Sequence, residues 1–127
     1  MKYLHTMIRV KNLEESIKFY TEVLNMKVIS HEDFPEGQFT LVFLSYGNSK
    51  SDPCIELTYN YGKTDYVMGD QWGHMAFGTS NIFETCERVK KMGAKVVREP
   101  GPMKHGTTVI AFVEDPNGYK IEFIETK

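Results

Sequence analysis

The stretch "TTVIAFVEDPNGYKIEFIE", residues 107–125, decides the fold. It predicts two strands, because apolar residues recur on both sides of the central "DPNGY". Asp, Pro, Asn and Gly favour tight turns, so the two strands should form a hairpin. One residue is unexpected in the second strand, since Glu122 places a carboxylate between Ile121 and Phe123. Because side chains alternate along a strand, we expect Ile121 and Phe123 to pack on helices and Glu122 to face the other side of the sheet.

An internal repeat gives Glu122 a counterpart earlier in the chain. The "IEL" of residues 55–57 matches the "IEF" of residues 121–123, and His74 follows His5 by 69 residues. Each half therefore begins with a histidine in its first strand and ends with a glutamate in its last. A repeat of this kind must be recognised before the fold or the function is argued.

Both halves show the same succession of elements, β-α-β-β-β. The helices should begin at Asn12 and Asn81, each with a glutamate three residues later, and end near Asn25 and Gly93. A turn is predicted at "FPEG", residues 34–37, with its glycine in the left-handed region. The predicted strands cover residues 4–10, 26–32, 39–47 and 54–60 in the first half, then 73–79, 94–100, 107–115 and 119–125 in the second.

The fold class is therefore α+β, with two tandem β-α-β-β-β modules that form a curved mixed sheet. We expect a single domain over residues 1–127, with module one at about 1–60, a linker at about 61–72 and module two at about 73–127. A hydrophobic fraction of 41% and an aromatic fraction of 13% are sufficient for a real core.

Charge and cysteine content exclude several classes of protein. The net charge is -2 without a basic patch, so a nucleic-acid partner is not expected. No apolar run approaches the ~20 residues of a membrane span, so no membrane partner is expected either. Cys54 and Cys86 are far apart and form no CxxC motif, and the N-terminus does not resemble a signal peptide. These features indicate a reduced, cytoplasmic protein.

The repeated residues form a candidate metal site. Taken singly, a histidine in an apolar strand is usually structural and a glutamate usually faces solvent. The repeat changes this interpretation, because each half brings one imidazole and one carboxylate to equivalent positions. Two carboxylates balance the charge of a divalent cation, and a set without thiolates suits Zn, Ni, Co, Fe or Mn.

These residues lie in stretches with a specific family resemblance. "LHTMIRV", "SIKFYTEVLNMKV", "IELTYNYG", "GHMAF" and "TTVIAFVEDPNGYKIEFIE" resemble the vicinal oxygen chelate superfamily. Within it, the whole chain is similar to the glyoxalase I (lactoylglutathione lyase) family, in its short bacterial form.

The resemblance implies a homodimer with active sites at the subunit interface and one divalent metal per site. The metal ligands would be His5, Glu56, His74 and Glu122, the first two from one chain and the last two from the other. Short bacterial forms are similar to the nickel- or cobalt-activated class, so Ni²⁺ is expected, with Co²⁺ or Zn²⁺ as alternatives.

The implied reaction converts the hemithioacetal of methylglyoxal and glutathione into S-lactoylglutathione, a step of methylglyoxal detoxification. A proton moves between adjacent carbons, and a carboxylate near both can carry it. The resemblance assigns this catalytic role to Glu122, while Glu56 would serve the other enantiomer of the hemithioacetal.

The resemblance also suggests contacts to glutathione, the co-substrate. Arg9 and Asn60 match positions that bind its γ-glutamyl end, although Arg9 alone could equally form a surface salt bridge. Lys104 is a candidate for the glycine carboxylate. Asp70 stands where some longer members have an arginine, which leaves a different thiol carrier as an alternative.

Three other functions stay open at this point. One is another metal-dependent enzyme of the superfamily, namely a thiol transferase, an epimerase or a dioxygenase. The second is a drug-sequestering module, which typically lacks the metal ligands. The third is a dimer with structural histidines only. The presence of all four expected ligands favours the lyase.

Overall fold

The structure is a computed structural model that describes residues 1–126. Contacts divide the chain into two compact units, Met1–Tyr66 and a second unit that begins at Val67. The first unit contains β1 (His5–Arg9), α1 (Leu13–Lys18), a π-helical turn (Phe19–Val23), β2 (Lys27–Phe34), β3 (Phe39–Ser45) and β4 (Cys54–Asn60). The second contains β5 (Met75–Thr79), α2 (Ile82–Lys91), β6 (Lys95–Pro102), β7 (Val109–Glu114) and β8 (Lys120–Glu125).

The two units have the same sheet topology. The first sheet has the strand order β1-β4-β3-β2 and the second the order β5-β8-β7-β6. In each, the first and last strands of the unit are parallel neighbours, and the remaining pairs are antiparallel. The predicted α+β class and the β-α-β-β-β repeat are therefore confirmed, as two four-stranded mixed sheets.

The core lies on one side of each sheet, as the alternation predicts. Ile121 and Phe123 are 0% and 1% exposed, and Leu57 in β4 is likewise buried. Helix α2 packs on β6, β7 and β8, with Ile82 and Val89 fully buried. Burial of each such side chain stabilises the fold by roughly 1.5–3 kcal/mol. The core thus includes Ile121 and Phe123, as predicted.

Asparagine caps begin both helices, as predicted. The Asn12 side-chain oxygen accepts a hydrogen bond from the Glu15 N–H at 3.0 Å. Asn81 accepts one from the Glu84 N–H at 3.1 Å. Each bond satisfies one of the free N–H groups at a helix start, so the sequence fixes where these helices begin.

The ends of the helical segments also use the predicted residues. Asn25 has φ = 59° and Gly93 has φ = 78°, both in the left-handed region. The first helix differs from the prediction, because its α-helical part ends at Lys18 and a π-helical turn follows. This turn buries Phe19, Tyr20 and Val23, whereas a 3.6-residue period does not place Phe19 and Val23 on the buried face together with Tyr20.

Two connections between strands differ from the sequence prediction. In the first unit β2 continues to Phe34, and the left-handed residue of the turn is Gln38, with φ = 57°, instead of Gly37. The reason is a pair of successive turns, in which Gly37 N–H bonds the Phe34 carbonyl and Gln38 N–H bonds the Pro35 carbonyl. In the second unit β6 continues to Pro102, into the predicted loop.

The two cysteines are buried and free, as expected of small apolar residues. Burial, with nearby Glu99, raises the pKa of the Cys86 thiol. Within residues 1–126, no helix has the length and apolar character needed to cross a membrane.

Candidate metal site

The first unit brings His5 and Glu56 together. Strands β1 and β4 are parallel, and Met7 lies opposite Glu56 in their register. His5 is two residues before Met7 and therefore on the same face. Its Nε2 lies 2.9 Å from Glu56 Oε1, and the glutamate side chain is only 13% exposed. The pairing explains how a carboxylate is accommodated in this strand.

The second unit repeats the arrangement with His74 and Glu122. Ala76 lies opposite Glu122 in the parallel pair of β5 and β8, and His74 is two residues before it. His74 Nε2 lies 3.2 Å from Glu122 Oε1, and the glutamate side chain is 16% exposed. The prediction that Glu122 faces away from Ile121 and Phe123 agrees with their different burial.

An aromatic ring supports each pair. Phe43 lies opposite Glu56 in the β3–β4 register, and its ring meets His5 edge-on at 5.3 Å between centroids. Phe112 lies opposite Glu122, and its ring meets His74 in the same way at 5.3 Å. Sequence reasoning missed both rings, although their separation of 69 residues equals that of the two histidines.

One charged group, the Lys50 ammonium, also approaches the Phe43 ring. Lys50 Nζ lies 4.6 Å from the centre of the Phe43 ring and 3.1 Å from a carboxylate oxygen of Glu32. Hydrogen bonds from Lys50 and Ser30 lower the pKa of Glu32. This ion pair therefore holds the ammonium group against the ring that supports His5.

The donor atoms of each pair fit a shared cation. Imidazole nitrogen and carboxylate oxygen bind divalent metals at about 2.0–2.2 Å, so two adjacent ligands are about 3 Å apart. The observed separations of 2.9 Å and 3.2 Å match this spacing. Without a cation, the same spacing accommodates a hydrogen bond from the imidazole to the carboxylate. Residues 1–126 contain no cluster of three or more His, Cys, Asp or Glu that could hold a metal within one chain.

Two of the predicted substrate contacts lie at the same end of the first sheet. Arg9 is the last residue of β1 and lies opposite Thr58, while Asn60 is the last residue of β4. The Asn60 amide nitrogen donates a hydrogen bond to the Tyr66 hydroxyl at 3.1 Å. Tyr66 was not anticipated from the sequence, because nothing local links it to Asn60.

The third predicted contact, Lys104, lies in the second unit. It is exposed in the turn that connects β6 and β7.

Comparison with known proteins places the chain in a family. Residues 2–123 match the family model of the Glyoxalase/Bleomycin resistance protein/Dioxygenase superfamily. A lactoylglutathione lyase of Neisseria meningitidis serogroup A is 56% identical over 127 residues, which is all of this chain and 92% of the relative. A probable lactoylglutathione lyase of Synechocystis is 54% identical over 126 residues, covering 99% and 96% of the two chains.

Solved structures give the same result. Glyoxalase I from Zea mays superposes with a TM-score of 0.94 at 42% identity, covering 98% of this chain. The present chain spans 44% of the length of that maize chain. The full-length match, the high identity and the shared fold lead to one conclusion: the chain belongs to the Glyoxalase/Bleomycin resistance protein/Dioxygenase superfamily, as its sequence predicts.

Proposed function

We propose that this chain is a lactoylglutathione lyase that isomerises the hemithioacetal of methylglyoxal and glutathione to S-lactoylglutathione. The observation that carries the proposal is the pair of equivalent His–Glu contacts, at 2.9 Å and 3.2 Å, in a chain whose relatives share that activity in name. The predicted family and the predicted lyase activity agree with these relatives.

One divalent metal would be held by His5, Glu56, His74 and Glu122, with Ni²⁺ preferred and Co²⁺ or Zn²⁺ as alternatives. Bound there, it would act as a Lewis acid that polarises neighbouring oxygen atoms of the substrate and makes the adjacent proton more acidic. The nitrogen and oxygen donors, without a thiolate, support this choice of metals.

The complete ligand set requires contributions from both units. We propose a homodimer in which His5 and Glu56 of one protomer meet His74 of the partner subunit and Glu122 of the partner subunit. The support is the repeat itself, because each unit supplies one imidazole and one carboxylate in equivalent geometry. An arrangement of this kind would be isologous, with two identical sites per dimer.

Glu122 is the proposed base that moves the proton between the two carbons. Its carboxylate is mostly buried, contacts His74, and is anchored by the fully packed residues Ile121 and Phe123 on either side. Such anchoring holds a base in a fixed position, which proton transfer over hydrogen-bond distance requires. Glu56 has the same surroundings and is proposed to serve the other enantiomer.

The glutathione contacts are proposed to be Arg9, Asn60 and Lys104. The Asn60 amide nitrogen donates a hydrogen bond to the Tyr66 hydroxyl, so the amide oxygen points away from Tyr66. In that position the oxygen can accept a hydrogen bond from an ammonium group of the substrate. Arg9, at the same sheet end, suits the neighbouring carboxylate of an amino acid. Arg9 and Asn60 thus suit the γ-glutamyl end of glutathione, and Lys104 is proposed to bind its glycine carboxylate.

A different thiol carrier is the second candidate, and one relative favours keeping it. A solved glyoxalase I of Leishmania major, described as trypanothione-dependent, is 45% identical and has a TM-score of 0.86. The match covers 98% of this chain and 86% of the Leishmania chain. Asp70, in place of the arginine of some longer members, is a further reason to test other thiols.

The deciding experiment follows thioester formation by ultraviolet absorbance. Metal-free protein should be inactive with methylglyoxal and glutathione, and Ni²⁺ should restore turnover more than Zn²⁺. Turnover with another thiol only would support the alternative carrier. Absence of metal-dependent thioester formation with glutathione and with other thiols would refute the lyase function in favour of a transferase, epimerase or dioxygenase.

We also propose a cytoplasmic location, which the free Cys54 and Cys86 support.

A further inference from the structure

The connection between β6 and β7 breaks the symmetry of the two units. In the first unit, β2 and β3 are joined by the short turn at residues 35–38. In the second unit, residues 103–108 form a longer connection, which we call the β6–β7 loop. The loop contains Lys104, whose side chain is exposed. A feature present in only one unit is not needed to complete the repeated fold, so a specific role is expected of it.

Arg98 in β6 holds the base of this loop. Its Nη1 donates hydrogen bonds to the carbonyl oxygens of Gly101 at 2.9 Å and Ile110 at 2.7 Å. Its Nη2 donates a third bond to the carbonyl of Pro102 at 2.9 Å. One half-buried guanidinium thus joins the last residues of β6 to the first part of β7. Hydrogen bonds from a charged donor are about twice as strong as neutral ones.

The three hydrogen bonds from Arg98 lie at an irregularity in the pairing of β6 with β7. The register of β6 with β7 shifts between Val96 and Arg98 and again between Arg98 and Gly101. Bulges of this kind leave residues unpaired and disrupt the regular ladder. The Arg98 guanidinium supplies donors at this point, so β6 can continue as far as Pro102.

Beyond the residues that Arg98 contacts, the β6–β7 loop is closed by hydrogen bonds of its own backbone. The Met103 N–H donates to the Thr108 carbonyl at 2.9 Å, and the Gly106 N–H donates to the Met103 carbonyl at 3.0 Å. His105 has φ = 62°, and a Cβ on Gly106 would lie 2.8 Å from the Met103 side chain. The loop is therefore a compact turn whose direction depends on the strand ends that Arg98 joins.

Arg98 is connected through the second sheet to the candidate metal site. Arg98 lies opposite Phe112, and Phe112 lies opposite Glu122 and contacts His74. Ser30 occupies the equivalent place in the first unit, opposite Phe43. The guanidinium is thus specific to the unit with the longer loop, and it fixes that loop relative to β7, which pairs with the strand of Glu122.

We propose that Arg98 is a positioning residue that holds the β6–β7 loop, and Lys104 with it, in place to bind the carboxylate of the thiol carrier. This inference rests on the proposed lyase function. Arg98 itself contacts backbone carbonyls and takes no part in proton transfer. Its loss should therefore weaken substrate binding and leave the chemical step unchanged.

The test compares three single variants and one double variant of the nickel-loaded protein. Arg98→Met removes the guanidinium but retains an apolar chain, and Arg98→Lys retains a charge that can bond fewer carbonyls. Lys95→Met is the matched control, because it removes one positive charge from an exposed position of the same strand. Thermal unfolding verifies that each variant is folded.

Two readouts are expected to move together. In Arg98→Met, amide hydrogen exchange at Met103 and Gly106 should accelerate, and KM should rise about tenfold, the effect of losing one charge-assisted contact. The kcat should stay within about twofold, and Arg98→Lys should lie between wild type and Arg98→Met. Adding Lys104→Met to Arg98→Met should raise KM little further, because both changes remove the same contact.

Two results would overturn the proposal. One is faster loop exchange in Arg98→Met with the KM of the Lys95→Met control, and the other is loop exchange that does not change at all. A wild-type protein without lyase activity would instead refute the proposed function. In that case binding of S-methylglutathione, weakened or unchanged by Arg98→Met, decides whether the loop serves thiol-carrier binding.

Discussion

Phe43 and Phe112, in different units of the chain, meet His5 and His74 edge-on at the same centroid distance of 5.3 Å. Each ring also lies across the sheet from the glutamate of its pair. The candidate site is therefore repeated beyond its proposed ligands, and the rings limit how far either imidazole can turn. This equivalence makes the two halves of the site directly comparable by mutation.

We expect Phe43→Leu and Phe112→Leu to weaken metal binding by similar factors. An edge-to-face aromatic contact contributes about 0.5–1.5 kcal/mol beyond area burial, which corresponds to about 2- to 13-fold in Kd. Calorimetric titration of the metal-free variants with Ni²⁺ measures this change. Phe83→Leu, an exposed position on α2, is the control. A loss in only one of the two site variants would contradict the equivalence.

Glu122→Gln should retain the fold and lose most of its activity toward the enantiomer that Glu122 serves. The amide keeps the shape of the carboxylate but can neither accept the substrate proton nor bind a cation as strongly. General-base catalysis contributes about 10²–10⁴-fold, so kcat for that enantiomer should fall by about this range. Steady-state kinetics with metal content measured on the same sample separates the two effects. Glu36→Gln, in an exposed turn, should match wild type, whereas full turnover of metal-loaded Glu122→Gln would exclude this base.

Mixing two inactive variants tests the shared site. His5→Ala and His74→Ala should each be inactive as homodimers, since every proposed site then lacks one of its proposed ligands. In a mixed dimer, one site carries both lesions and the other site carries none. After random exchange of subunits half of the dimers are mixed, so about a quarter of wild-type activity should return. If all four ligands came from one chain, mixing would restore nothing.

Much of this site follows from the sequence because its determinants are local. The caps at Asn12 and Asn81 and the alternation around Glu122 each depend on a few adjacent residues, and the repeat reveals the rest. The supporting contacts depend instead on strand register, which joins residues far apart in sequence. Phe112 reaches His74 and Arg98 reaches Ile110 only after β6, β7 and β8 have paired. The bulges in β6 that Arg98 compensates have no local signature either.

Tyr66→Phe should raise KM without changing kcat. It removes the hydroxyl that accepts the hydrogen bond from the Asn60 amide nitrogen, so the amide loses its fixed orientation. A hydrogen bond contributes about 0.5–1.5 kcal/mol, which predicts a KM higher by about 2- to 13-fold. Tyr61→Phe is the matched control, because that hydroxyl bonds Thr40 instead of Asn60. Equal KM values for the two variants would show that Tyr66 does not orient Asn60 for binding.

Asp52 should make part of the stability depend on pH. Its carboxylate accepts hydrogen bonds from the N–H groups of Asn48, at 2.9 Å, and Ser49, at 3.1 Å. These backbone bonds lower the pKa of Asp52 from its ordinary value of 3.8. The pKa of Asp52 is lower in the folded protein than in the unfolded one. The stabilisation is therefore fully present above the unfolded pKa and is lost as the pH falls through the folded pKa.

Asp52→Asn should therefore unfold at a lower urea concentration than wild type at neutral pH. The difference in midpoint should narrow as the pH is lowered below 3.8, because the wild-type carboxyl group becomes neutral as well. Urea titrations across this range measure the effect, with Asp65→Asn as the control for the loss of one exposed negative charge. A midpoint difference that is the same at every pH would mean that the Asp52 charge does not stabilise this loop.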